Sequence, residues 1–194
     1  MKKMNLPNKL TFLRVLLVPL FVIFLVLPLG ISETAARIAS CAVFVLCSLT
    51  DMLDGKIARK YHLITDFGKF MDPLADKFMI FGALLAICVS DYFAAMRPIM
   101  VWVALLVFFR ELAVTSMRLL VCGKDGTVIA ANWLGKVKTV SQFVFVITVL
   151  LEGIWAPWPY WILSLIGAAG MTVFTVLSGI NYLHSYWKMI DPTK

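Results

Sequence analysis

Residues 51–78 read DMLDGKIARKYHLITDFGKFMDPLADKF, and the rest of the chain is read outward from them. The stretch lies between strongly apolar runs yet carries Asp51, Asp54, Asp72 and Asp76. On a helix, Asp51 and Asp54 stand at i and i+3, and Asp72 and Asp76 at i and i+4, so each pair shares a face. Carboxylates gathered near a bilayer repel one another and lose hydration. Each ionised residue at a membrane-helix centre costs about 2.5–3.5 kcal/mol. A divalent cation held by oxygen ligands offsets that cost, so the four acids are expected to bind one or two Mg²⁺ or Mn²⁺ ions. Gly55 and Ala58 extend the first stripe and Gly68 the second, and small residues there let a backbone or a bulky ligand come close. The short connection between the two helices is expected to let the stripes face each other. Pro73 disfavours regular helix at Asp72, so a helix is expected to start or kink there.

Composition sets the class around this stretch. Of the 194 residues, 61% are hydrophobic, and the mean hydropathy is +0.91. Soluble domains hold about 45–50% apolar residues, so the chain reads as an all-α, polytopic membrane protein. Its length suits one bundle, a single domain over residues 1–194. The net charge of +7 is explained by cytoplasmic flanking charge and by anionic lipid or substrate. No aromatic-interleaved basic patch points to nucleic acid. Cys41, Cys47, Cys88 and Cys122 form no CxxC pair and read as apolar fillers. Neither His62 nor His184 is given a ligand role.

Six spans are expected. The opening MKKMNLPNKLTFLR is basic and amphipathic and reads as a short surface helix leading into an uncleaved first span, about 10–29. The others are expected near 33–60, 68–90, 97–122, 133–151 and 160–187. WAPWPYW (155–161) reads as an interfacial belt. With the N-terminus in the cytoplasm, 16 of the 18 Lys and Arg residues fall at inward ends, and only Arg37 and Arg97 fall outside. Both termini and the acids are therefore expected to face the cytoplasm.

The pattern Asp51-x2-Asp54-Gly55-x2-Ala58-Arg59-x8-Gly68-x3-Asp72-x3-Asp76 resembles the complete signature of the CDP-alcohol phosphotransferases, with all eight fixed positions present at the family's spacing. That family moves a phosphatidyl or similar group from a CDP-linked donor to an alcohol and releases CMP. The resemblance implies that Asp51, Asp54 and Asp72 ligate metal gripping the donor diphosphate. It further implies that Asp76 completes the metal site and acts as general base, while Gly55, Ala58, Arg59 and Gly68 shape the CDP pocket. LPNKLTFLRVLLVP, SLTDMLDG, FREL (109–112) and GKVKT (135–139) are similar to the bacterial members that build phosphatidylglycerophosphate, which implies CDP-diacylglycerol and sn-glycerol 3-phosphate as substrates and a homodimer.

The second half bears on the acceptor. Arg110 and Glu111 sit well inside a span, where interhelical pairing and a substrate role weigh equally. Arg118, Lys136 and Lys138 are either flanking charge or, as favoured here, part of a phosphate-binding set with Arg110. Asn8 and Thr11 stand at the entrance of the first helix, where capping is the economical reading. Rival acceptors are serine, inositol phosphate and phosphatidylglycerol. A rival from another class is a divalent-cation transporter, which needs acids near the midplane reachable from both sides.

Overall fold

A computed structural model describes residues 4–61, 63, 65–125, 133–155 and 161–186, without the side chains of 119 and 121–125. The described residues contain helices and no strands: α1 (Leu6–Val26), α2 (Glu33–Lys60), α3 (Asp66–Val89), α4 (Arg97–Asp125), α5 (Trp133–Leu151) and α6 (Ile162–Tyr186), with a 3-10 turn, Asp91–Met96, before α4.

Local chemistry sets the ends. Asn5 caps α1, its side chain accepting from the Asn8 amide at 3.0 Å, and Pro7 sits in the first turn, where a missing N–H costs nothing. Leu27 ends α1 in extended backbone because Pro28 follows. Ser32 caps α2 and Thr65 caps α3, each accepting an amide three residues on. Arg59 and Lys60 lie at the negative end of the α2 dipole.

Two expectations change. The N-terminal segment is no separate surface helix: from Leu6 onward it is the first part of α1, which continues without a break into the apolar run. Residues 1–3 lie outside the described set. Of the start or kink expected at Asp72, the start does not occur: α3 begins at Asp66 and runs through Pro73. A helix-interior proline costs about 3 kcal/mol. The Thr65 cap and burial of Ala75, Met79, Ile80, Ala83, Leu84 and Ile87 outweigh it. Among the described residues five helices are long and apolar enough to cross a membrane, and α3 is not one of the five. Its first half carries Asp66, Lys69, Asp72, Asp76 and Lys77. The chain is a multi-pass membrane protein. The WAPWPYW belt falls largely on residues 156–160, outside the described set.

The chain divides into two compact units. In the first, Met1–Arg97 with Gly153–Trp155, α1 packs against both α2 and α3, while α2 and α3 touch each other little. Phe21 of α1 meets Phe44 of α2 with ring centroids 5.9 Å apart. A Cβ on Gly82 would lie 2.7 Å from Val18 Cγ1, so α1 and α3 approach as only glycine permits. The two cations expected on the outer side are ion-paired within this unit: Arg37 with Glu33 at 3.0 Å, and Arg97 with Asp91 at 2.9 Å.

In the second unit, Pro98–Glu152 with Ala156–Lys194, α5 packs along α6. Buried Glu152 accepts from the Leu163 and Ser164 amides at 2.9 and 2.7 Å and from the Ser164 hydroxyl. That carboxylate satisfies the open amides at the start of α6.

Candidate active site

Each helix of the first unit brings a short polar stretch to one place. On α1 the buried stripe is Asn8, Thr11, Arg14, Val18, Phe21 and Leu25, polar at its beginning and apolar beyond. On α2 and α3 the acids occupy the expected stripes. The cation at their centre is Arg14. Its Nη1 lies 2.8 Å from Asp51 Oδ1 and 2.7 Å from Asp76 Oδ1, and its Nη2 pairs with Asp54 Oδ2. Thr11 Oγ1 donates to Asp72 Oδ1 at 2.7 Å. All four signature acids are thus tied to two side chains of α1.

Sequence reasoning expected the two acid stripes to face each other across a short hairpin. The stripes instead meet through α1, because α2 and α3 barely touch. The sequence pattern places Arg14 only among the inward flanking charges. The signal was present: a charged residue in an apolar run, one turn from Thr11, has a functional or pairing reason by default. Asn8 and Thr11 do not cap α1, a task that falls to Asn5. Asn8 Oδ1 instead accepts from Thr65 Oγ1 at 3.0 Å, and Asn5 Nδ2 donates to the Leu63 carbonyl at 2.9 Å, tying the start of α1 to the α2–α3 connection.

Burial divides the acids. The Arg14 side chain is 0% exposed and that of Asp54 5%, whereas Asp51 and Asp76 are 40% and 52% exposed. Arg14 and Asp54 form the floor and Asp51 and Asp76 the open side. A buried guanidinium is tolerable only with such partners. Gly68 is buried, and a Cβ there would lie 3.2 Å from Asn8 Oδ1 and 3.8 Å from Asp72 Oδ2. Arg59 turns its guanidinium to within 3.6 Å of the corresponding point on Gly55. Ala58 is partly buried on the same helix.

The donors are all oxygen, four carboxylates and a hydroxyl, and a single guanidinium leaves them in charge excess. That set suits Mg²⁺ or Mn²⁺ rather than a thiophilic metal. Among the described residues no three acid, His or Cys side chains are grouped tightly enough to hold an ion as they stand, and the inner oxygens face Arg14.

A second polar cluster belongs to the second unit. Arg110 Nη1 pairs with Glu111 Oε1 at 3.1 Å, the Lys138 ammonium pairs with the same oxygen, and Arg110 Nη2 donates to Ser178 Oγ. Arg110 and Lys138 are buried, and the pairing role foreseen for Arg110 is therefore present. The guanidiniums of Arg110 and Arg118 each lie 5.7 Å from the Tyr182 ring centroid. Lys136 is exposed on α5. His62 lies outside the described residues, and His184 is in the last turn of α6.

With four acids of one signature gathered in this way, the class follows: the chain belongs to the CDP-alcohol phosphatidyltransferase family, whose model matches residues 4–179. Members of that family generally depend on a divalent metal. Among individual proteins, the chain is 38% identical to a CDP-diacylglycerol–glycerol-3-phosphate 3-phosphatidyltransferase of Bacillus subtilis, over 96% of this chain and 97% of the relative. It is 36% identical to a probable phosphatidylglycerophosphate synthase of Mycobacterium tuberculosis, over 92% and 80%. Identity to the Escherichia coli K12 CDP-diacylglycerol–glycerol-3-phosphate 3-phosphatidyltransferase is 33%, over 92% and 93%.

Proposed function

We propose that this chain transfers the phosphatidyl group of CDP-diacylglycerol to sn-glycerol 3-phosphate, giving phosphatidylglycerophosphate and CMP in phospholipid biosynthesis. The observation that most supports this is the complete eight-position signature with its four carboxylates drawn to one place by α1. Relatives bearing that activity's name match nearly the whole chain.

The acceptor hydroxyl gives its proton to Asp76, whose Oδ1 is engaged by Arg14. The hydroxyl oxygen forms a bond to the phosphorus that carries diacylglycerol. The bond from that phosphorus to the oxygen of the CMP phosphate breaks, and CMP leaves with the electron pair. Asp51, Asp54, Asp72 and Asp76 would hold one or two Mg²⁺ or Mn²⁺ ions, which when bound neutralise charge on the diphosphate. Gly55, Ala58, Arg59 and Gly68 shape the donor pocket. Arg110, Arg118, Lys136 and Lys138 receive the acceptor phosphate, with Glu111 offsetting only part of their charge. The whole chain acts as one catalytic domain, a homodimer in the bacterial inner membrane, with α3 as a sixth span and its acidic half at the cytoplasmic face.

One assay tests this directly: purified protein, CDP-diacylglycerol and each candidate alcohol in turn, with CMP release measured. Release is expected with sn-glycerol 3-phosphate, abolished by EDTA and restored by Mg²⁺ or Mn²⁺. Preference for serine, inositol phosphate or phosphatidylglycerol overturns the acceptor assignment. Arg118→Ala is expected to raise the KM for sn-glycerol 3-phosphate more than that for the lipid donor. An equal rise in both removes Arg118 from the acceptor pocket.

A further inference from the structure

Cations packed between helices need partners, and in the second unit an aromatic ring is among them. Arg14 is surrounded by carboxylates. Arg110 and Arg118, eight residues apart on α4, both bring their guanidiniums to a single aromatic ring, Tyr182 of α6. Tyr182 is 6% exposed and packs against Val114. Tyr186 stacks against it, with centroids 6.2 Å apart and planes 24° from parallel. One turn before Tyr182, Ser178 accepts a hydrogen bond from Arg110, and a Cβ on Gly179 would lie 3.2 Å from Arg110 Cγ. This stretch of α6 is therefore fitted to the arginines of α4.

A carboxylate and a ring hold a guanidinium with different consequences. The carboxylate cancels its charge. The negative face of a ring orients it without neutralising it, while Glu111, which pairs with both Arg110 and Lys138, offsets only part of the cluster's formal charge. We infer that Tyr182 is a positioning residue that holds Arg110 and Arg118 in one arrangement for the phosphate of the acceptor. The inference rests on the acceptor-pocket reading above. Tyr182 touches no reacting atom; it acts through the two arginines, by the face of its ring rather than by its hydroxyl.

The test compares Tyr182→Leu, Tyr182→Phe and Arg118→Ala in the full-length protein, measuring CMP release against each substrate. Tyr182→Leu is expected to raise the KM for sn-glycerol 3-phosphate about tenfold while leaving that for CDP-diacylglycerol within about twofold. Tyr182→Phe keeps the ring and is expected to stay within about twofold on both. Phenylalanines with one, two and three fluorines at position 182 keep the shape and drain the ring's negative face, so they remain informative if Tyr182→Leu does not fold. The acceptor KM is expected to climb with each fluorine. A flat fluorine series, or a Tyr182→Phe defect as large as that of Tyr182→Leu, overturns the ring assignment. An unchanged acceptor KM in Tyr182→Leu beside a raised one in Arg118→Ala removes Tyr182 alone. If Arg118→Ala also leaves the acceptor KM unchanged, the pocket reading itself falls.

Discussion

Asp76→Asn lowers CMP release by at least about 10²-fold, the contribution expected of a positioned general base, and leaves the protein folded. The substitution is nearly isosteric, and the amide oxygen still accepts from Arg14 Nη1 where the Asp76 carboxylate does so at 2.7 Å. Asp76 is half-exposed, so losing its charge costs little stability. What disappears is the carboxylate proposed to take the acceptor's proton. The measurement is initial-rate CMP release, accompanied by thermal unfolding in detergent and by CDP-diacylglycerol binding. Rates within about tenfold of the parent, with binding retained, would remove Asp76 from the base role.

Arg14→Ala has the largest expected effect on stability. It leaves Asp54, 5% exposed, without its cation, and releases Asp51 and Asp76 from a shared partner. Breaking a buried ion pair from one side costs about 3–5 kcal/mol, because the remaining charge stays buried and uncompensated. Denaturant titration in detergent is expected to show that loss. Arg14→Lys recovers only part of it, since a single ammonium lacks the fork that reaches three carboxylates. Adding Asp54→Asn to a neutral residue at position 14 removes the stranded charge, and is expected to restore much of the stability without restoring turnover. If Arg14→Ala unfolds like the parent, the guanidinium is no keystone of the acid cluster.

Much of this was legible beforehand for physical reasons. Spacing alone puts Asp51 with Asp54 and Asp72 with Asp76, because helix periodicity is insensitive to what lies opposite. The starts expected near 33 and 133 match α2 and α5, which begin at Glu33 and Trp133. Pro73 misled because the local preference before a proline is weaker than the burial of the helix that continues past it. The surface helix misled because the basic, amphipathic opening reads as a separate element, whereas from Leu6 it runs unbroken into the apolar stretch of α1.

The sequence by itself determined that the chain is a membrane helical protein and which acids share a helix face, since hydropathy and helical spacing are properties of one segment at a time. Only the tertiary structure decided that α1 joins those acids and that Arg14 is their immediate partner. It also decided that two arginines of α4 share one ring of α6. Those are choices among residues tens of positions apart, and packing between helices makes them where no local pattern can.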